Sequence, residues 1–444
     1  MSGFSTGLRA AVSAALLVCA AGGPAVAQDG LAATGTLPSG VRYQIRPDPA
    51  QPAAAIALWY RAPAGGFDAP AVPGLSRLAA ATVAASAPIT GTPLTQLVER
   101  AGGRISVTAY PDSVAVTALV PPDRVAQTLR AMTADFFAPV VTAPGLTVAK
   151  ADTRDDALLR SLEPEAIENA LGAALFAAGP FHDGTLAAEG LSGVTLDRVR
   201  AFAERAFRPA NAILILAGDV DAAALGSVAA RSGDPSGGAP EPAATSAPAA
   251  RAADGAPVRR TSLLAGTGLG WIGPPIADES AATALDFLAD ALFAPKTGIV
   301  PKALGSRKAS ATGRFVTYHD PGVFLVTITG DDAAAARPIV EGAIAAAATP
   351  MSAPAFEAAR AAFVYRLLSS MDTPVEVADT FGWYAVEGDP AYAPAEGGLQ
   401  GRYFTLAAQL TPATVAQTAA RFLGPAPAVV TFATPAPRAP KPPA

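Results

Sequence analysis

TLDRVRAFAERAFRPANA, residues 195–212, and TPATVAQTAARFLGPAPA, residues 411–428, align without a gap at a spacing of 216 residues. Identical residues fall at Thr195/Thr411, Val199/Val415, Ala203/Ala419, Arg205/Arg421, Pro209/Pro425, Ala210/Ala426 and Ala212/Ala428. Each copy reads as an amphipathic helix followed by a buried strand, the first strand being residues 212–217, AILILA. A second spacing, 210, relates Ala143-Pro144 to Ala353-Pro354 at the start of another helix. An Ala- and Pro-rich chain inflates self-similarity by chance. Here the order of elements repeats as well as the residues, which implies two similar halves.

The remaining elements follow from local pattern. Residues 40–46 (GVRYQIR) and 55–60 (AIALWY) carry strand formers on either side of a Pro- and Ala-rich turn, a hairpin-like start. Helical periodicity runs over residues 73–85, and again from Thr92-Pro93 to Gly102-Gly103. Strands are expected at 104–109 and 114–120, joined around Pro111-Asp112, with a helix over 121–137. Long helical stretches follow at 143–176 and 195–207. From 232 to 260 the chain turns to Gly, Pro, Ser and Ala, a linker by composition. The expected organisation is thus a signal at 1–27, one lobe at 28–231, the linker at 232–260, a second lobe at 261–437 and a tail at 438–444.

Composition narrows the chemistry. Of 444 residues 51% are hydrophobic and 16% charged, with a formal net charge of −5, so a basic nucleic-acid groove or polybasic membrane patch gets no support. Residues 1–27 read as an export signal: Arg9, an apolar stretch over 10–21, and the small-residue cleavage site Ala25-Val26-Ala27. That stretch is too short to span a bilayer, and no later apolar run is long enough. A periplasmic or secreted protein without a membrane span is expected, cut after Ala27. Cys19, the single cysteine, lies inside the signal, so the mature chain forms no disulfide and no thiolate metal site.

Several motifs together carry a family resemblance. Pro73-Gly74-Leu75-Ser76-Arg77-Leu78 on the first helix, the Gly179-Pro180-Phe181 turn and residues 208–220 (RPANAILILAGDV) resemble the insulinase/pitrilysin family of zinc metallopeptidases. The resemblance implies an α+β fold of two homologous lobes, each a mostly antiparallel sheet covered by helices, of the LuxS and processing-peptidase type. It also implies a cavity that grips an unfolded peptide. The family's device is an inverted His-x-x-Glu-His on the first helix, where two imidazoles one turn apart share zinc and the glutamate polarises the bound water. Registering Gly74-Leu75 on the family pattern puts Arg77, Ala80 and Ala81 at those three places. A guanidinium and two methyls offer zinc no lone pair. His182 and His319, the only two histidines, fall in different lobes.

The resemblance places the family's third ligand at Asp155-Asp156, which are weak metal candidates and otherwise a solvated helix face. A sharper expectation concerns Arg77: its fixed charge pairs with Asp155 or Asp156 and holds the emptied site together. Some family members without the zinc motif supply an arginine and a tyrosine, seven apart, from the second lobe. The corresponding stretch here has Gly305 and Thr312 at those places, leaving Arg307 and Tyr318 as weak substrate-binding candidates. Turn capping by Asp183 and Asp320 explains His182 and His319 without catalysis. The reading that follows is a pseudoenzyme without catalytic residues or cofactor of its own. It acts as heterodimeric partner of an active insulinase-family zinc peptidase in peptide degradation. The alternatives are a stand-alone peptide-binding or scaffold protein and, third, a zinc endopeptidase.

Overall fold

The computed structural model describes residues 34–87, 91–185, 190–229, 258–261, 264–388 and 398–433. Residues 1–27, read above as an export signal, the expected tail and nearly all of the expected linker lie outside the described residues. The first half opens with β1 (Thr34–Thr36), β2 (Arg42–Pro47), β3 (Ala54–Arg61), α1 (Leu75–Ala85) and α2 (Leu94–Arg100). The hairpin of β4 (Arg104–Ala109) and β5 (Ser113–Val120) precedes α3 (Val125–Phe137), α4 (Ala143–Arg160), α5 (Glu165–Leu175), α6 (Pro180–Asp183) and α7 (Leu196–Ala206). It closes with β6 (Ala212–Gly218) and α8 (Gly226–Ala229). The second half runs β7 (Val258–Thr261), β8 (Gly266–Ile272), α9 (Glu279–Phe293), α10 (Ile299–Leu304), β9 (Ser310–Val316) and β10 (Val323–Thr329). It ends with α11 (Ala333–Ala346), α12 (Ala353–Ser369), α13 (Pro374–Glu387), α14 (Gly398–Gln409), α15 (Pro412–Phe422) and β11 (Ala428–Ala433).

The two sheets repeat one topology. Apart from the short β1 at its edge, the first has the order β2-β6-β3-β5-β4 and the second β7-β11-β8-β10-β9. In each, the first pair is parallel and the rest antiparallel. The matched threonines do the same work twice. Thr195 Oγ1 accepts from Arg198 N at 3.3 Å and Thr411 Oγ1 from Thr414 N at 3.1 Å, each satisfying an orphan donor at a helix start.

Three sequence expectations are corrected. Strands β2 and β3 do not form a hairpin, because β6 lies between them. All seven residues of β6 are buried, which suits a central position covered on both faces, while half-buried β2 takes the outer place. The helical stretch expected over 143–176 breaks after Arg160 and restarts at Glu165. Pro164 cannot donate within a helix, and it stands at the start of α5 rather than inside a longer one. Strand β7 begins at Val258, inside the stretch assigned to the linker.

Each sheet buries one face under helices of its own half and the other under a helix of the opposite half. Leu78, Val83, Leu129 and Phe202 fill the first arrangement in one half; Leu285, Leu288, Val340 and Val415 fill it in the other. On the remaining faces the halves exchange helices. Helix α13 lays Ala378 and Phe381 on Ala57, Trp59 and Ile215 of the first sheet, and α5 lays Ile167 and Leu171 on Leu325 and Val430 of the second. Gly266, Gly268 and Gly270, all on one face of β8, leave the trough that α5 occupies. A Cβ at Gly268 would fall 2.6 Å from Ile167 Cγ2.

Candidate functional site

Helix α1 presents Arg77 in its first turn, and the strand and helix beside it complete the environment. Arg77 Nη1 donates to Val107 O of β4 at 2.8 Å, and Nη2 lies 3.1 Å from Asp156 Oδ2 of α4. Arg160 Nε reaches the same Asp156 oxygen at 2.8 Å, and its Nη1 meets Glu165 Oε1 at 2.9 Å. The pairing of Arg77 with Asp156 is thus present, with side-chain exposures of 19% and 30%. Burial pulls the Arg77 pKa down and Asp156 opposes it. Asp155 is exposed and takes no part.

Zinc does not fit this place. Ala80 is fully buried in the core and Ala81 packs against it, while the guanidinium is a donor on every side. Among the described residues no group of three His, Cys, Asp or Glu side chains is arranged to hold a metal ion. What the arrangement does is electrostatic: a cation on α1 ties the edge strand to α4, and through Arg160 to α5.

A cavity of about 390 Å³ opens beside this chain of charges, at the junction of the halves. One wall is the end of β4, Thr108 to Pro111. The second is α5 and the segment after it, with Glu168, Asn169, Phe176 and Phe181. The third is the second sheet, with Arg314, Val316, Tyr318 and Leu325. Its lining mixes apolar side chains with the charged ones of Arg160, Glu165, Glu168 and Arg314. Arg314 Nε meets Glu168 Oε2 at 3.0 Å across the junction, and the rings of Phe181 and Tyr318 cross at 4.4 Å. Burial raises the pKa of Tyr318 well above its ordinary value.

The two substrate-binding candidates separate. Tyr318 stands in the cavity wall, whereas exposed Arg307 turns back on its own helix, donating to Leu304 O at 3.0 Å. The arginine that accompanies Tyr318 is Arg314. Its signal in the sequence was strand periodicity: positions 314 and 316 share one face of β9, whose end Tyr318 closely follows.

A further group escaped sequence reading. Asp112 follows Pro111 in the β4–β5 turn, and its side chain hydrogen-bonds that of Glu387 at the end of α13, both buried. Glu387 Oε1 accepts from Ser113 Oγ at 3.3 Å and Oε2 from His319 N at 3.1 Å, while His319 Nδ1 lies 3.0 Å from Glu387 O. Two adjacent buried carboxyls do not both ionise readily, so burial pushes Asp112 up to about 6 and Glu387 well above its ordinary value. His319 is therefore held by Glu387, not by the turn capping expected of Asp320. The Asp183 side chain lies outside the described residues.

Comparison with known proteins gives the geometry a setting. A family model described as the peptidase M16 inactive domain matches residues 193–363. No curated protein matches the sequence. Among solved structures, a protease from Helicobacter pylori superposes with a TM-score of 0.74 at 16% identity, covering 90% of this chain and 98% of that one. A peptidase M16 inactive domain from Pseudomonas fluorescens gives 0.73 at 16%, covering 91% and 98%. A chain of Complex III2 from Candida albicans, Inz-5 bound, gives 0.73 at 12%, covering 90% and 95%. At these identities the structures establish the shared two-lobe fold.

Proposed function

We propose that the chain is a degenerate member of the insulinase-type M16 peptidase family, an exported, non-catalytic partner subunit of an active zinc metallopeptidase. It contributes to peptide degradation by holding peptide, and it carries no metal of its own. The observation that supports this most directly is Arg77 tied to Val107 O and Asp156 where the family pattern puts its first metal ligand, in a fold that otherwise keeps both lobes. Export rests on the signal-like residues 1–27. Among the described residues no helix is long and apolar enough to cross a membrane.

The test is co-purification with a homologue whose His-x-x-Glu-His is intact, followed by peptide cleavage assays of each chain and of the mixture. Association, with cleavage by the mixture well above that of the active chain alone, is expected. Cleavage by this chain alone, or no association, rejects the reading. A second reading, a peptide-holding protein without a peptidase partner, is favoured by the junction cavity, which this chain forms by itself. Peptide binding by the isolated chain with no effect on the homologue's activity would select it.

A further inference from the structure

Alternate residues of β2 face the side of the first sheet that α13 covers, and three of them are polar. Arg42, Gln44 and Arg46 stand opposite Ile213, Ile215 and Ala217 of β6, which pack beneath α13. On the other side Thr36 and Thr34 of β1 stand opposite Arg42 and Gln44 and carry the same face to the sheet's edge, where both are exposed. The result is a strip of two guanidiniums, an amide and two hydroxyls, without a carboxylate. It lies at the sheet edge opposite β4, and none of its residues lines the junction cavity.

The guanidiniums of this strip lack what other half-buried arginines of the chain have. Arg77, Arg160 and Arg366 each meet a carboxylate, and Arg366 grips Asp290 with the Nε and Nη2 edge of its fork. Arg46 lies on Phe381, 3.8 Å from the ring centroid, but its Nε and Nη2 have no hydrogen-bond partner among the described residues. Nε of Arg42 is unpartnered in the same way, and the charge acting on it is the like charge of Arg61. Gln44, only 9% exposed, leaves its Oε1 unpartnered between them. Burial draws the pKa of Arg42 down and that of Arg46 to about 10, so both are cations at neutral pH. A desolvated cation without an acid is costly. Both arginines are only half-buried, which leaves the strip within reach of a ligand from the side of β1.

We propose that this strip binds an extended acidic segment of another protein, with carboxylates at positions i and i+4 paired to Arg42 and Arg46. Spacing selects the extended form. Four residues of strand separate the two arginine Cα atoms by about 13 Å, which four residues of an extended ligand match, whereas four residues of helix rise only about 6 Å. Recognition is by side chains across the sheet face, so it asks for charge rather than for main-chain pairing. Stacking on Phe381 fixes the plane in which Arg46 donates to a carboxylate, and the Gln44 amide and the threonine hydroxyls donate beside it. The free chain holds two cations without acids, and the segment supplies them.

The experiment measures the anisotropy of a fluorescein-labelled, Ser-rich peptide with two glutamates four positions apart, added to the full chain, beside a counterpart with glutamines. The glutamate peptide is expected to bind about 10-fold or more tightly than its counterpart, and to weaken as salt is raised. Arg42→Met and Arg46→Met should each weaken binding about 10-fold, yet raise the Tm of the free chain, because Met packs on apolar surface without an unpaired charge. A merely structural arginine would change Tm in the opposite direction. Equal binding of the two peptides, binding of neither, or full affinity in the Met variants overturns the site. A Tm lowered in both variants overturns it as well. Self-association of the free chain that Arg46→Met abolishes, seen by sedimentation velocity, would make the occupant a second copy and overturn the assignment to another protein.

Discussion

Gly382 of α13 rests directly on the indole of Trp59 in β3, so closely that a Cβ at 382 would fall 1.9 Å from Nε1. The contact fixes how near the second half's helix approaches the first half's sheet. Trp59 is fully buried, and its ring lies stacked 5.5 Å from Tyr110 and edge-on 6.4 Å from Trp383, so it has nowhere to move. Gly382→Ala gains about 1 kcal/mol of helix propensity but forces α13 away, at about 1–3 kcal/mol for overpacking. A net loss of stability is expected, read from the midpoint of urea unfolding together with a shift in tryptophan emission. An unchanged or raised midpoint would mean the helix is not seated on Trp59.

Helix α5 makes the reciprocal contact, and its energetics can be separated from that of α13. Ile167 is fully buried against the β8 glycines, so Ile167→Ala should cost about 2–5 kcal/mol. Gly268→Ala should destabilise too, because its Cβ meets Ile167 Cγ2. In the Ile167→Ala background the tightest contact is gone, leaving Leu171 Cδ1 at 3.1 Å, and the second substitution should cost less than it does alone. A double-mutant cycle in urea checks this; strictly additive losses would contradict the trough.

The Asp112–Glu387 pair gives stability a pH dependence of definite sign. Asp112 is raised to about 6 and Glu387 well above its ordinary value, each chiefly by burial. Arg61 and His319 oppose the shift at Asp112, but more weakly than burial. The folded chain therefore holds more protons than the unfolded chain above about pH 4, and stability falls as pH rises through about 6. For Asp112 the loss is on the order of 3 kcal/mol. Asp286, bonded to Tyr403 and also raised to about 6, contributes with the same sign. Asp112→Asn should thus lessen, without abolishing, the fall in urea midpoint between about pH 5 and about pH 8. A midpoint that rises over that range would contradict the shared proton.

Arg77 allows a test in which metal and ion pair are compared directly. Arg77→Ala removes one ion pair and one hydrogen bond to a main-chain carbonyl, but Asp156 keeps Arg160. A loss of about 1–2 kcal/mol is expected. Zinc added to the dialysed unsubstituted chain should leave Tm unchanged, since a ligand stabilises only a state that binds it. A zinc-dependent rise in Tm, abolished by Asp156→Asn, would show a metal site after all.

Much of this was legible in the chain itself, for a physical reason. Period-2 and period-3.6 patterning, capping threonines and the duplicated segments at 195–212 and 411–428 act over short distances, and they gave two α+β halves. The expectation that zinc is not held at Arg77, Ala80 and Ala81 rests on residue chemistry alone, because a guanidinium and two methyls offer a metal no lone pair. What lay beyond it depended on partners far apart in sequence. That β6 separates β2 from β3, that α5 and α13 change places between sheets, and that Arg314 rather than Arg307 stands beside Tyr318 are all settled by which buried surfaces meet. Asp112 and Glu387, 275 positions apart, look like ordinary surface acids until the tertiary structure buries them together. Short-range pattern fixed the elements; long-range burial decided their arrangement and set the proton affinities at the junction.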